Sequence, residues 1–135
     1  MLKKSLLLSI LITLQLNTVT LAQNIRSGYG SLNVSEFIKN NQLQGLSPKQ
    51  IAVKMLNESE EEGRISDEIN IEYKQSNYAI ITLTHNGLAD DSVQGMKYKI
   101  EVRKKGNNWQ IVWVGNQVKC HKGRGHQNWS SNRCS

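Results

Sequence analysis

The chain has 135 residues, 38% of them hydrophobic and 21% charged, with 17 Lys/Arg against 11 Asp/Glu for a net charge of +6. That length suits one ordinary domain, and no internal repeat, low-complexity tract or linker divides it. Two cysteines are too few for a disulfide framework to replace a hydrophobic core.

Lys3 and Lys4 precede an almost unbroken apolar run from Ser5 to Leu16, and Thr20-Leu21-Ala22 offers small residues before Gln23. This is the pattern of a secretory leader over residues 1–22, and the apolar run falls short of the roughly 20 residues that span a bilayer. No cysteine follows to carry a lipid anchor. The expectation is a single domain over residues 23–135, exported to the periplasm or the extracellular medium, with no retained membrane span. Gln23 to Ser31 is polar and Gly-containing and reads as a frayed N-terminus.

Leu32, Val34, Phe37 and Ile38 suggest a short amphipathic turn or helix, broken by Asn40 to Gly45. Ser47-Pro48-Lys49-Gln50 then combines an N-cap, a proline at the first helical position and a reciprocal partner three residues after the cap. With Ile51, Met55 and Leu56 at helical spacing, this predicts a helix over about 48–60. Glu58, Glu60, Glu61 and Glu62 lack the Asp/Gly ligand loop of a calcium site and read as a solvated helix end.

The period then changes to two. Ile69, Ile71 and Tyr73 alternate with polar residues, Tyr78 to Thr84 is β-branched and apolar, and Met96, Tyr98, Ile100 and Val102 alternate with Lys97, Lys99, Glu101 and Arg103. Trp109, Ile111 and Trp113 alternate with Gln110, Val112 and Val114. Short turns between these segments favour an antiparallel meander, so the predicted fold is α+β: an N-terminal helical segment packed on one face of a four-stranded meander, with a C-terminal disulfide loop. If Tyr98 and its neighbours face the helix, Lys97, Lys99 and Arg103 point to the other face, and a stripe of cations continues through Lys119 into the tail. That open sheet face is a candidate binding surface.

Charge is uneven along the chain. Residues 23–96 carry six Lys/Arg and ten Asp/Glu, whereas residues 97–135 carry nine Lys/Arg and Glu101 alone. The tail from Val118 holds both cysteines, His121, His126 and four cations, Lys119, Lys122, Arg124 and Arg133. After export, Cys120 and Cys134 are expected to bond to each other; closing such a loop contributes on the order of 3 kcal/mol in the chain-entropy model. The alternative is a metal set of Cys120, His121, His126 and Cys134, whose spacing lacks the paired ligands of structural zinc sites. A cysteine nucleophile is disfavoured because the disulfide would consume the sulfur. In Gly123-Arg124-Gly125-His126, the glycines allow a sharp turn, Arg124 offers a planar fork for an anion, and His126 a proton near neutral pH. His85 with Asp90 or Asp91 and Ser92 or Ser130 makes a hydrolytic triad on paper, without a nucleophile-elbow pattern to support it; Asp90 and Asp91 read better as loop caps.

The run Leu88-Ala89-Asp90-Asp91-Ser92-Val93-Gln94-Gly95-Met96-Lys97-Tyr98, then Trp109-Gln110-Ile111-Val112-Trp113-Val114-Gly115, then Cys120 and Gly123-Arg124-Gly125-His126-Gln127-Asn128-Trp129-Ser130 before Cys134, resembles the C-terminal half of a family of small exported bacterial proteins with no assigned activity. It covers about residues 79–134 and implies a bacterial, extracytoplasmic setting, but no reaction or ligand. The order of helix and meander is also loosely similar to cystatin-like and NTF2-like α+β domains, although the chain is short on helix for the full NTF2-like cone.

These readings converge on an exported non-enzymatic binding or interaction module for an anionic envelope component or an acidic protein partner. Its anion-binding candidates are Lys97, Lys99, Arg103, Lys119, Lys122, Arg124, His126 and Arg133. The alternative is a small hydrolase of a phosphate or glycan substrate, with His126 transferring the proton and Arg124 clamping the anion. No cofactor and no metal is implied.

Overall fold

Two helices begin where a side chain can satisfy the free backbone N–H groups of the first turn. In the computed structural model, which describes residues 24–57 and 66–135, Asn33 caps α1 (Val34–Asn40) by accepting a hydrogen bond from the Glu36 N–H at 3.0 Å. α2 (Pro48–Asn57) opens with the reciprocal pair legible in the sequence. The Ser47 N–H donates to Gln50 Oε1 at 2.9 Å, and the Gln50 N–H to Ser47 Oγ at 3.4 Å. The predicted leader and the acidic run from Glu58 to Glu62 lie outside the described residues. Among the described residues no helix is long and apolar enough to cross a membrane.

The sheet has five antiparallel strands rather than four: β1 (Gly30–Ser31), β2 (Ser66–Gln75), β3 (Tyr78–Asn86), β4 (Val93–Lys105) and β5 (Asn108–Cys120), in the spatial order β1-β5-β4-β3-β2. β2 to β5 form the predicted meander. The added edge comes from the segment read as frayed: Gly30 and Ser31 pair with Asn116 and Gly115, and the Leu32 N–H donates to the Val114 carbonyl at 2.9 Å.

α1 packs on β5, and α2 on β2 and β3. The register aligns Ile71, Ile81, Ile100 and Val114 across four strands on the face under the helices. Phe37, Leu43, Ile51, Ala52 and Met55 close over them as one core. Each fully buried aliphatic side chain there contributes about 1.5–3 kcal/mol. The sequence pattern misplaces one residue. Glu101 pairs with Trp113 and Val102 with Ile111, so Val112 is an extra, outward residue of β5. This bulge keeps Ile111 and Val114 in the helix-side core and turns Trp113 to the opposite face, breaking the Trp109-Ile111-Trp113 alternation.

The opposite face has a small core of its own. Tyr78, Ile80 and Trp113 are buried there, and Glu101, in the middle of β4, is only 1% exposed. A buried carboxylate requires a partner. Arg26 supplies it from the N-terminal segment, with Nε 2.7 Å from Oε1 and its NH2 group 3.0 Å from Oε2, a two-pronged ion pair; the Tyr78 hydroxyl donates to Oε2 at 3.3 Å. The hydrogen bond to Glu101 raises the Arg26 pKa further above its ordinary value, against the opposing effect of burial. Arg26 also lies over the Trp113 ring at 5.2 Å, and Trp113 Nε1 donates to Ser31 Oγ at 3.1 Å. Residues 24–31 are therefore a strap laid across the sheet. Gly115 is required beneath it, because a Cβ there would stand 2.5 Å from the Trp113 ring and 3.0 Å from the Gly30 carbonyl.

Arg26→Ala leaves Glu101 buried without its cation. Removing one partner of a fully buried pair costs roughly 3–5 kcal/mol. Arg26 keeps 38% side-chain exposure, so the expected loss is about 2 kcal/mol, read from the urea midpoint. Glu101→Gln should cost less, about 1 kcal/mol, because the remaining Arg26 reaches water. Equal stability of Arg26→Ala and the parent chain would contradict the strap as described.

Candidate functional site

Lys97, Lys99 and Arg103 project from the face opposite the helices, as the alternation requires, and each lies against an aromatic ring. Lys97 Nζ lies 4.4 Å from the centroid of the Trp129 ring, Lys99 Nζ 4.3 Å from that of Tyr29, and the Arg103 guanidinium 4.1 Å from that of Tyr78. Lys99 also donates to the Ile25 carbonyl at 2.9 Å. Burial, and next the neighbouring Lys97, lower the Lys99 pKa, while burial raises those of Tyr29 and Tyr78. The basic sheet face read from the sequence is thus partly covered, with Lys97 and Lys99 half-buried and Arg103 exposed. The strap and Trp129 occupy it, because aromatic rings from both ends of the described chain find cations there.

The tail is a built loop. Cys120, the last residue of β5, and Cys134 form the expected disulfide, with Cα atoms 5.6 Å apart. Val118 and Ser130 exchange backbone hydrogen bonds at 2.8 and 3.0 Å, continuing the β5 edge beyond β1, and the Ser135 N–H donates to the Arg124 carbonyl at 2.8 Å. Two contacts tie the loop to the β3–β4 connection: the His121 N–H donates to the Ser92 carbonyl at 2.9 Å, and His121 Nε2 lies 3.0 Å from the Asp90 carbonyl. Asp90 caps that connection by accepting from the Val93 and Ser92 N–H groups at 2.7 and 2.8 Å. Those bonds, with that of the Ser92 hydroxyl, lower its pKa.

His126 is held at both nitrogens. Nδ1 lies 2.8 Å from the Asn128 carbonyl and Nε2 3.0 Å from the Asn132 carbonyl. A carbonyl oxygen only accepts, so both contacts are satisfied together when both ring nitrogens carry a proton. The Asn132 carbonyl, then that of Asn128, raises the His126 pKa above the ordinary histidine value. In this state the ring is a fastener of the loop and has no free lone pair to accept a proton.

The four-residue metal set does not form, since the two sulfurs are bonded to each other and His121 faces Asp90. The paper triad does not form either. His85 is buried and its Nδ1 lies 2.7 Å from Asp67 Oδ1 across the β2–β3 pair, while Asp90 is engaged as a cap. Arg124 engages the loop through its backbone. The side chains of Lys119, Lys122, Arg124 and Arg133 make no ion pair among the described residues, and the last three are exposed. Arg133, Asn132 and Ser131 also line a crevice of about 480 Å³ against Ser31 and Asn116. No protein-family model, curated protein or solved structure matches this chain.

Sequence reasoning passed over Arg26, Tyr29, Glu101 and Asp67. Glu101 carried a signal, as the single acid at an alternating position within a basic strand. Arg26 and Tyr29 carried none that was local.

Because the folded pKa of His126 is raised, its contribution to stability is complete below the unfolded value of about 6.5 and is lost as pH rises through the folded value. Thermal unfolding of the oxidised chain from pH 5 to 9 should show this loss on the alkaline side of about 6.5. In His126→Gln that part of the pH dependence should be missing. An identical profile for the two chains would refute the doubly donating ring.

Proposed function

We propose that the chain is an exported, non-enzymatic binding module of the bacterial envelope that presents its C-terminal disulfide loop to an anionic envelope component or an acidic partner. One observation carries this reading. Lys122, Arg124 and Arg133 stand exposed on a crosslinked, hydrogen-bonded loop with no carboxylate paired to them among the described residues, whereas Lys97 and Lys99 of the sheet are half-buried against aromatic rings. A loop held in this way loses little conformational freedom on binding, so more of the electrostatic attraction is expressed as affinity. The adjoining crevice adds Ser131, Asn132 and Asn116 as neutral hydrogen-bonding groups.

Export agrees with a disulfide formed in an oxidising compartment and with the predicted leader. Hydrolysis of a phosphate or glycan has less support, because the His126 ring that it would use already serves two backbone carbonyls.

The test uses sedimentation with vesicles of phosphatidylglycerol, compared with phosphatidylcholine. Near an anionic surface each cation contributes about 1 kcal/mol, so Lys122→Gln with Arg124→Gln should weaken binding about thirtyfold and flatten its salt dependence. Lys104→Gln with Lys105→Gln, on the exposed β4–β5 turn, removes the same charge and should leave most of the affinity. Equal losses in the two variants, or binding indifferent to salt, would reject the loop as the contact surface.

A further inference from the structure

The disulfide loop brings together more chemistry than a crosslink uses. Ligand atoms of Cys120, His126 and Cys134 all lie within 4.8 Å of one another. Cys120 is fully buried at the end of β5, while His126 and Cys134 are half-buried, so the cluster opens outward. The ring nitrogen nearest the sulfur is Nε2, 3.5 Å from Cys120 Sγ. The other nitrogen, Nδ1, sits 2.8 Å from the Asn128 carbonyl. That carbonyl fixes the proton on Nδ1 and aims Nε2 at the sulfurs, which is the outer hydrogen bond that metal-bound imidazoles usually make. Gly125, at φ +135°, completes the cradle: a Cβ there would stand 3.0 Å from Cys120 Sγ.

The sequence spacing lacks the paired ligands of structural zinc sites, but the turns at Gly123 and Gly125 supply the convergence that the spacing does not. Tetrahedral ligands at zinc bond lengths stand about 3.5–3.8 Å apart; Nε2 already lies 3.5 Å from Cys120 Sγ, and the two bonded sulfurs separate on reduction.

We infer that reduction of the Cys120–Cys134 bond converts this loop into a site for a thiophilic d10 metal ion, Zn²⁺ or Cu⁺, held by both sulfurs and His126 Nε2. A dithiol reductant delivers two electrons and two protons to the disulfide and is itself oxidised to a disulfide. The metal ion then displaces the two thiol protons, and His126 releases the proton on Nε2 while keeping Nδ1–H on Asn128. The Asn132 carbonyl, on an exposed residue, exchanges its imidazole donor for water. His121 is not a ligand, because it is committed to Asp90. Three protein ligands leave a further position on zinc for water or an exchanging ligand, which distinguishes the site from a closed structural one. Two thiolates and one imidazole suit Zn²⁺ and Cu⁺ and disfavour Mg²⁺ and Ca²⁺. Disulfide and metal are then alternative states of the same two sulfurs. This inference rests on loop geometry and is independent of the anion-binding proposal.

The experiment reduces the whole exported chain with a dithiol, removes the reductant by gel filtration without air, and titrates in Zn²⁺ or Cu⁺ against a chromophoric chelator. Co²⁺ serves as an optical probe for thiolate ligation. The reduced chain should bind one equivalent and show thiolate-to-Co²⁺ absorption, and the oxidised chain neither. Cys134→Ser should abolish binding, His126→Gln should weaken it at least about tenfold, and His121→Gln should leave it unchanged. Binding of one ion and not the other identifies the metal. A reduced chain that binds neither ion, or His126→Gln with unchanged affinity, overturns the proposal. Far-UV circular dichroism covers the case in which reduction unfolds the chain: metal-driven refolding supports the site, and a chain left unfolded by metal rejects it.

Discussion

The second face of the sheet is organised by a single carboxylate. Glu101 has almost no contact with solvent, and its position in β4 is fixed on both sides by pairing with Ile80 and Trp113. Buried there, it demands a cation and a hydrogen-bond donor. Arg26 and Tyr78 meet that demand, and in doing so draw the N-terminal segment over Trp113 and against β5. The strap, the short fifth strand and the tyrosine over Lys99 all follow from this one requirement. Lys97, Lys99 and Arg103 of β4 consequently meet rings or a backbone carbonyl of the same chain, while Lys104 and Lys105 at its end stay exposed.

The tail shows the complementary case. Its crosslink, its imidazole bonded at both nitrogens and its pairing with β5 fix the backbone, while Lys122, Arg124 and Arg133 extend from it. Rigidity and exposed charge reside in the same eighteen-residue stretch from Val118. In β4, by contrast, charge is exchanged for packing. The difference arises from what lies nearby: Lys97, Lys99 and Arg103 have Trp129, Tyr29 and Tyr78 within reach, whereas Lys122, Arg124 and Arg133 stand exposed.

Local features were legible in the sequence because their causes are local. The Ser47–Gln50 capping pair lies within four residues, and the strands of the meander follow from alternation and short turns. The disulfide was legible because the chain offers two cysteines and an N-terminal pattern that reads as a secretory leader. The features missed depend on distant parts of the chain. Arg26 and Glu101 are 75 residues apart, and nothing in the polar, Gly-containing segment around Arg26 marks it as a partner for a strand. The bulge at Val112 was hidden because Ile111, Trp113 and Val114 are all apolar and fit either register until Glu101 and Ile100 select their own partners. For His85 the sequence offered Asp90 and Asp91 only as a paper triad, whereas the β2–β3 register places Asp67 beside it.

The pairing of β1 with β5 joins the earliest described strand to the last, and this governs the order in which the fold is completed. A chain emerging N-terminus first has its strap available long before Trp113 and Gly115 exist to receive it. Contacts of such sequence separation carry a large loop-closure cost and form late. Until β5 is made, Arg26 and Tyr29 have no surface to settle on and Glu101 has no cation. The strap is therefore the last part of the fold to close, and this face of the sheet is the one left open longest.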